Sequence, residues 1–250
     1  MANLLEGKVI AMTGAGRGIG RECALLAASE GARIVVNDPG VSNDGGGHDE
    51  GPAAQVVEEI KKAGGDAVAN FADVSSMEGG ESVIQSALDA YGKLDGLINL
   101  AAILRDRMVF NLTEEEWDDV IRVDLKGHFT TLKPASILFR QQRYGRIVNF
   151  SSVSGLQGNS GQANYGAAKA GIASFTIIAA RELRRIGVTV NAISPSAVTR
   201  MTEGLRERTE EQIAAGNPKW IAPVITYLAS EDSDAVHGVT LTVDAGWSAW

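Results

Sequence analysis

Seven short apolar runs rich in Val and Ile punctuate this sequence: KVIAMTG, RIVVND, DAVANF, LDGLINLA, RIVNFSS, VTVNAIS and GVTLTVDAG. Between them lie longer stretches such as IGRECALLAASEG and AAQVVEEIKKAGG, whose apolar residues recur at helical spacing. A run without alternating polar positions is apolar on both faces, so the strand it forms must be covered on both sides. Strands separated by helices pair in parallel, because a parallel neighbour is reached only through a crossover. The expected fold class is therefore α/β, a doubly wound seven-stranded parallel sheet with helices on both faces. The 250 residues, 44% of them hydrophobic, suffice for one large core. No internal repeat or dividing linker interrupts them, so residues 1–250 are read as a single domain.

Charge narrows the function. A formal net charge of -8 repels phosphate backbones and anionic membrane surfaces on average, which argues against nucleic acid or a membrane as partner. The single cysteine, Cys23, lies in an apolar helical pattern and is read as a buried thiol. His48, His128 and His237 are scattered, with no Cys or carboxylate at ligand spacing, so neither a metal site nor a Ser-His-Asp triad is expected. The N-terminal MANLLEGKVIAMTG shows no charged leader ahead of a long apolar run, and no window approaches the roughly 20 apolar residues of a membrane span. A cytoplasmic protein is the default expectation. Thr113 and Glu116 in LTEEEWDDVI have capping-box spacing and mark a helix start. The long, Gly-rich DPGVSNDGGGHDEGPAAQ after the second strand is read as a mobile surface loop.

The first strand-to-helix turn is TGAGRGIG, residues 13–20. Gly14, Gly18 and Gly20 permit a tight turn and close approach of a pyrophosphate, while the helix N-terminus around Ile19 supplies amide donors and positive potential. Asp38 ends the next strand, eighteen positions after Gly20. A carboxylate there can accept hydrogen bonds from the adenosine ribose and repel a 2′-phosphate, which favours NAD over NADP. Arg17, inside the turn, is the opposing group, since a guanidinium could reach a 2′-phosphate.

The TGxxxGxG spacing, combined with Tyr165-xxx-Lys169 further along, resembles the short-chain dehydrogenase/reductase family over essentially the whole chain. Asp73-Val74 after the third strand is similar to the family's adenine-contacting pair. Asn99-Leu100-Ala101-Ala102 stands where the family usually has Asn-Asn-Ala-Gly, and VDAGW near the C-terminus resembles its Val-Asp-Gly-Gly. Ser152, thirteen residues before Tyr165, matches the family's catalytic serine. Where most of the family has Pro-Gly-x-x-x-Thr, this chain has Pro195, Ser196, Ala197, Val198, Thr199 and Arg200. Within the family, AILRDR, YGRIVNFSSVSGLQGNSGQANYGAAKAG and ISPSAVTRMT resemble the (3R)-hydroxyacyl-CoA dehydrogenase domain of peroxisomal multifunctional enzymes. Bacterial ketoacyl reductases share several of the other segments.

The resemblance implies a Rossmann fold and hydride transfer between a nicotinamide and a secondary alcohol or ketone. It implies dinucleotide contacts from Gly14, Arg17, Gly18, Ile19 and Gly20 in the first turn, and from Asp38, Asp73, Val74, Asn99 and Ala101 at later strand ends. Tyr165, Lys169, Pro195, Ser196 and Val198 complete that implied set. It also implies a homo-oligomer, in the family usually a tetramer, built on helices near 113–140 and 161–184. The leading reading is NAD-dependent turnover of a 3-hydroxyacyl-CoA or similar thioester. Alternatives are an NADPH-dependent 3-ketoacyl reductase, a steroid or cyclic-alcohol dehydrogenase, and a non-catalytic dinucleotide sensor. Specificity is expected from ILRDRMVF and from Met201 to Pro218, where a short lid hints at an open site.

Tyr165 and Lys169, four apart, share one helix face. A free phenol of pKa near 10 is only about 0.1% ionised at pH 7, and a general base needs a value nearer neutrality. The Lys169 ammonium and an oxidised nicotinamide are expected to favour tyrosinate. By resemblance, Tyr165 exchanges the proton of the substrate hydroxyl, Ser152 hydrogen-bonds the substrate oxygen, and Lys169 also holds the nicotinamide ribose. One position departs. In VIRVDLKGHF, Asp124 stands where the family generally has a catalytic asparagine holding a water between the lysine and solvent. Aspartate lacks the amide donor, yet if ionised it favours the Lys169 ammonium; which effect governs stays open. The expectation is a preserved relay with a shifted pH profile.

Overall fold

The computed structural model describes residues 3–199 and 209–244. Arg200, residues 201–208 of the expected specificity segment and the Ala-Gly-Trp of VDAGW lie outside the described residues. The strands are β1 (Val9–Thr13), β2 (Arg33–Asn37), β3 (Asp66–Asn70), β4 (Gly96–Asn99), β5 (Gly145–Phe150), β6 (Val188–Pro195) and β7 (Thr240–Val243). They form one sheet in the order β3-β2-β1-β4-β5-β6-β7, every pair parallel, as the apolar runs require. Winding reverses between β1 and β4, and in such a sheet ligands bind outside the carboxyl ends of the strands at that reversal.

The helices are α1 (Gly18–Ser29), α2 (Gly51–Lys62), α3 (Met77–Tyr91), α4 (Glu114–Val120), α5 (Gly127–Gln142), α6 (Val153–Leu156), α7 (Ala163–Leu183), α8 (Glu210–Ala215) and α9 (Ala222–Ala229). Strand alternation divides the core into two layers. Ile10 and Met12 of β1 pack with Cys23 and Ala27 of α1, Val56 and Ile60 of α2, and Ile225 and Leu228 of α9. Val9 and Ala11 face the other way, onto Val83 of α3, Leu132 and Phe139 of α5, and Ala179 of α7. Cys23 is buried, and burial pushes its thiol pKa up, as befits an inert packing residue.

Two local features position the site. Thr113 Oγ1 accepts from Glu116 N at 3.2 Å and Glu116 Oε2 accepts from Thr113 N at 3.1 Å, the capping box expected for α4. Between α4 and α5 the chain makes one π-helical turn, Ile121–Lys126, without leaving the helix. Such a turn inserts an extra residue and re-aims the side chains it carries, and it recurs at functional sites. Asp124 lies on it. Helix α5 is set close to α3 at Gly80, where a Cβ would fall 2.3 Å from the Thr130 carbonyl oxygen. That carbonyl has no helical donor four residues on, because Pro134 occupies the position.

The Gly-rich segment 38–50 lies at the surface as expected, with Ser42, Asp44 and residues 46–50 exposed, but it is tied down by hydrogen bonds. Leu104 N donates to Asn43 O at 2.8 Å and Asp49 N to Pro39 O at 3.0 Å, while Ser42, Asp44 and Gly46 close a turn of their own. Backbone bonding to the segment after β4 folds it over the carboxyl ends of the strands, where Val41 and Asn43 line the cleft described next.

Candidate active site

A cleft of about 400 Å³ opens over the carboxyl ends of β1 and β4. Its floor is the first strand-to-helix turn. Gly14 has φ +63, and a Cβ there would lie 2.9 Å from the Ala101 backbone; a Cβ at Gly20 would lie 2.2 Å from Gly14 O. The turn therefore tolerates no side chain at either position, and backbone itself lines the cleft. Helix α1 starts at Gly18 without a side-chain cap, so its first amides, those of Gly18, Ile19 and Gly20, are placed for an anion. A bare glycine floor beneath an uncapped helix start fits a pyrophosphate.

The carboxylate of Asp38 stands at the cleft wall, its Oδ2 accepting from Gly16 N at 2.9 Å and its Oδ1 from Gly40 N at 2.7 Å. It ties the glycine turn to the segment beyond β2 and still borders the cleft with one lone pair per oxygen. Arg17 lines the cleft too, but its guanidinium donates to Val41 O at 3.2 Å and sits 3.7 Å from Asp49. Asp73, Val74, Ala101 and Pro195 border the same space. Asn99 does not: fully buried, it donates to Asn149 Oδ1 at 3.1 Å and accepts from Thr131 Oγ1 at 2.8 Å, cross-linking β4, β5 and α5 beneath the cleft. Ser196 is exposed, its N–H bonded to Val243 O, and Val198 packs toward Gly216; neither lines the cleft.

Tyr165 and Lys169 on α7 line the same cleft. The small residues of this helix permit close neighbours, a Cβ at Gly155 of α6 coming within 2.5 Å of Ala170 N. Ser152, at the start of α6, lies close enough to Tyr165 to influence its hydroxyl, and it accepts from Ser154 N at 3.2 Å. Lys169 is 1% exposed; its Nζ lies 5.3 Å from the Tyr165 ring centre, donates to Phe150 O at 3.1 Å and faces Asp124 Oδ2 at 3.5 Å. Asp124 is 0% exposed and its Oδ1 accepts from Ile103 N at 2.9 Å. It lies beneath the cleft, behind Lys169.

The chain's own groups do not by themselves lower the Tyr165 pKa; the expected lowering draws also on the charge of an oxidised nicotinamide. Burial pushes the phenol above its ordinary range, the Asp124 charge adds to this, and only the Ser152 hydrogen bond opposes. The Lys169 charge is opposed by the Asp124 carboxylate at 3.5 Å. Burial lowers the Lys169 pKa, with Asp124 working against it, and raises that of Asp124 to about 6, with Lys169 working against it.

Three contributors were not foreseen from the sequence. His128, one helical turn beyond Asp124, places Nδ1 2.6 Å from Asp124 O and Nε2 3.4 Å from Phe150 N; burial lowers its pKa to about 3, so it is neutral. Its i, i+4 spacing from Asp124 was the available signal. Gln162 donates to Asp106 at 2.9 Å, and Asn164 donates to Arg105 O and Glu116 O, both at 3.0 Å. With Arg107 N bonded to Gly161 O, they pin residues 105–107 to the first turn of α7.

The family model for short chain dehydrogenase matches residues 8–212. The chain is 40% identical over 241 residues to the peroxisomal hydratase-dehydrogenase-epimerase of Neurospora crassa, covering 96% of this chain but 26% of that protein. It thus spans about a quarter of that relative's length. It is 40% identical to a Staphylococcus aureus 3-oxoacyl-(acyl-carrier-protein) reductase, covering 94% of this chain and 96% of the relative. The crystal structure of a short chain dehydrogenase from Mycobacterium avium superposes with a TM-score of 0.86 at 46% identity, covering 97% of this chain and 84% of that one. Among the described residues no group of three or more His, Cys, Asp or Glu is arranged to hold a metal, and no helix is long and apolar enough to cross a membrane. On the match to its model over most of the chain, this protein belongs to the short-chain dehydrogenase/reductase family and is an oxidoreductase.

Proposed function

We propose that this chain is a single-domain, NAD-dependent dehydrogenase acting at a secondary alcohol or ketone of a 3-hydroxyacyl-CoA or related thioester. The observation that carries the reading is one cleft lined by the glycine turn and Asp38 together with Tyr165 and Lys169. A bound nicotinamide supplies or accepts the hydride. Tyr165 Oη gives a proton to the substrate oxygen in reduction and takes one in oxidation, Ser152 orients that oxygen, and Lys169 holds the nicotinamide ribose. Thioester preference draws on the relative named as a 3-oxoacyl-(acyl-carrier-protein) reductase. The apolar side chains exposed on α5 (Phe129, Ile137) and α7 (Ile177, Ile178) support a homo-oligomer.

The rival, an NADPH-linked 3-ketoacyl reductase, draws on Arg17. Its guanidinium is engaged by Val41 O and Asp49, whereas the Asp38 carboxylate borders the cleft, and this supports NAD. Asp38→Asn keeps an acceptor for a loop amide but removes the charge. It is expected to narrow the NAD-over-NADP preference by about tenfold, or ~1.4 kcal/mol, in calorimetric Kd values. An unchanged ratio would assign selectivity elsewhere. For the reaction itself, initial rates with 3-hydroxyacyl-CoA and NAD are expected to exceed those with NADP or with sterol and cyclic alcohols. Turnover of cyclic alcohols alone would displace the thioester reading.

A further inference from the structure

The buried ion pair behind the cleft has a consequence for the direction in which Tyr165 is ready to move a proton. We propose that Asp124 is a positioning residue which, by neutralising Lys169, keeps Tyr165 a protonated phenol through neutral pH, poised to deliver a proton to a carbonyl oxygen. This rests on the reading of Tyr165 as the acid-base group and adds to it what sets that group's resting state.

The geometry supplies the argument. Asp124 has no solvent exposure, and the π-helical turn aims its carboxylate inward. One oxygen is fixed by Ile103 N at 2.9 Å; the other, a buried atom without a well-formed hydrogen bond, faces Lys169 Nζ at 3.5 Å. The titratable and charged groups that face the pair or the phenol can be counted element by element. The π-turn brings Asp124, α7 brings Lys169 and Tyr165 itself, α5 brings the neutral His128, and the segment after β4 brings Asp106, held by Gln162. Lys169 and Asp124 sum to zero, and Asp106 adds negative charge on the substrate side. With an amide in place of Asp124, Lys169, 5.3 Å from the phenol ring centre, would lose its counter-ion, and to the extent that it keeps its proton against burial its charge would favour tyrosinate. The carboxylate opposes that pull at 3.5 Å, and its charge adds to the rise that burial, the larger cause, gives the Tyr165 pKa.

In the reductive step the Tyr165 O–H bond breaks as the substrate O–H forms, with hydride supplied from the reduced nicotinamide. A phenol does this directly. Alcohol oxidation needs tyrosinate and should gain with rising pH, so kcat/KM for oxidation is expected to climb through neutrality while that for reduction is flat. Because one equilibrium constant links the two directions, a variant must displace both limbs the same way.

The test is titration of Tyr165 by the ultraviolet absorbance of tyrosinate, taken as the difference between each protein and its own Tyr165→Phe version. It is run on the protein alone and with NAD, beside pH–rate profiles in both directions. Asp124→Asn and Asp124→Ser both remove the charge. Each is expected to move the phenol titration and both kinetic limbs to lower pH by about one unit or more, a tenfold rise in tyrosinate fraction per unit. A purely structural role would lower kcat at every pH without moving the midpoints. Titration that stays in place or moves upward in whichever variant folds overturns the proposal, as does a parent phenol that ionises near neutrality. The absorbance reports on Asp124 even where no substrate turns over, so failure of the dehydrogenase reading shows up separately, as absent turnover with a Tyr165 titration still moved by Asp124.

Discussion

Tyr165→Phe is expected to lower turnover by about 10²–10⁴-fold while leaving dinucleotide affinity within a few-fold of the parent. The substitution removes one hydroxyl from a ring held between α7 and the cleft and keeps the ring's contacts. The floor that fits the pyrophosphate is made by other residues of the same cleft, Gly14 and Gly20. Loss of the hydroxyl takes away the group that donates to or accepts from the substrate oxygen, and Ser152 cannot replace it, since an unassisted serine hydroxyl is a far weaker acid. Stopped-flow or steady-state rates alongside calorimetric NAD binding check both halves. An undiminished rate with retained binding would remove Tyr165 from the chemistry.

Lys169→Met is expected to be the most destabilising change at the site, by ~3–5 kcal/mol near pH 8, because it strands a buried carboxylate. Asp124 is 0% exposed, and among the described residues Lys169 is the cation that faces it. The deficit has a defined pH dependence. The folded-state pKa of Asp124 is raised from 3.8 to about 6 even with Lys169 in place, and loss of the ammonium raises it further. A carboxyl with a raised folded pKa contributes its full stability below its unfolded value and loses it as pH rises through the folded one. The variant's deficit should therefore be small near pH 4 and grow through and beyond pH 6. Urea unfolding at both ends of that range, with the parent as reference, measures it; a deficit independent of pH would mean that packing, not charge, dominates.

The sheet was legible because its signal is collective. Seven apolar runs at strand length, separated by helical periods, admit few arrangements, and the parallel order with its reversal beside β1 follows from the same alternation. The glycine turn was legible because only Gly can occupy positions where a Cβ would strike backbone at 2.2 Å or 2.9 Å. What escaped the sequence depends on single tertiary contacts. Composition suggested that segment 38–50 was loose, and one backbone bond, Leu104 N to Asn43 O, folds it against the cleft. Nothing in the resemblance foretold that the Asn99 side chain would bond to Asn149 and Thr131. Helical spacing paired Tyr165 with Lys169 correctly in space but did not disclose the carboxylate that opposes the Lys169 charge. A π-helical turn carries no compositional mark, and it aims Asp124 at the ammonium.

The clamp on residues 105–107 sets where this enzyme can be remodelled. Side-chain amides of Gln162 and Asn164 and the Arg107 N–H fasten that segment to the turn that carries Tyr165. Segment and helix start are therefore held as one unit, and the placing of Tyr165 relative to residues 105–107 is set before anything binds. Directed evolution toward new substrates should find this unit intolerant of change, each substitution there also shifting the catalytic hydroxyl. Productive variation should gather instead around α8, whose Ile213 is 49% exposed and which is joined to the segment after β6 through the bond from Val198 N to Gly216 O.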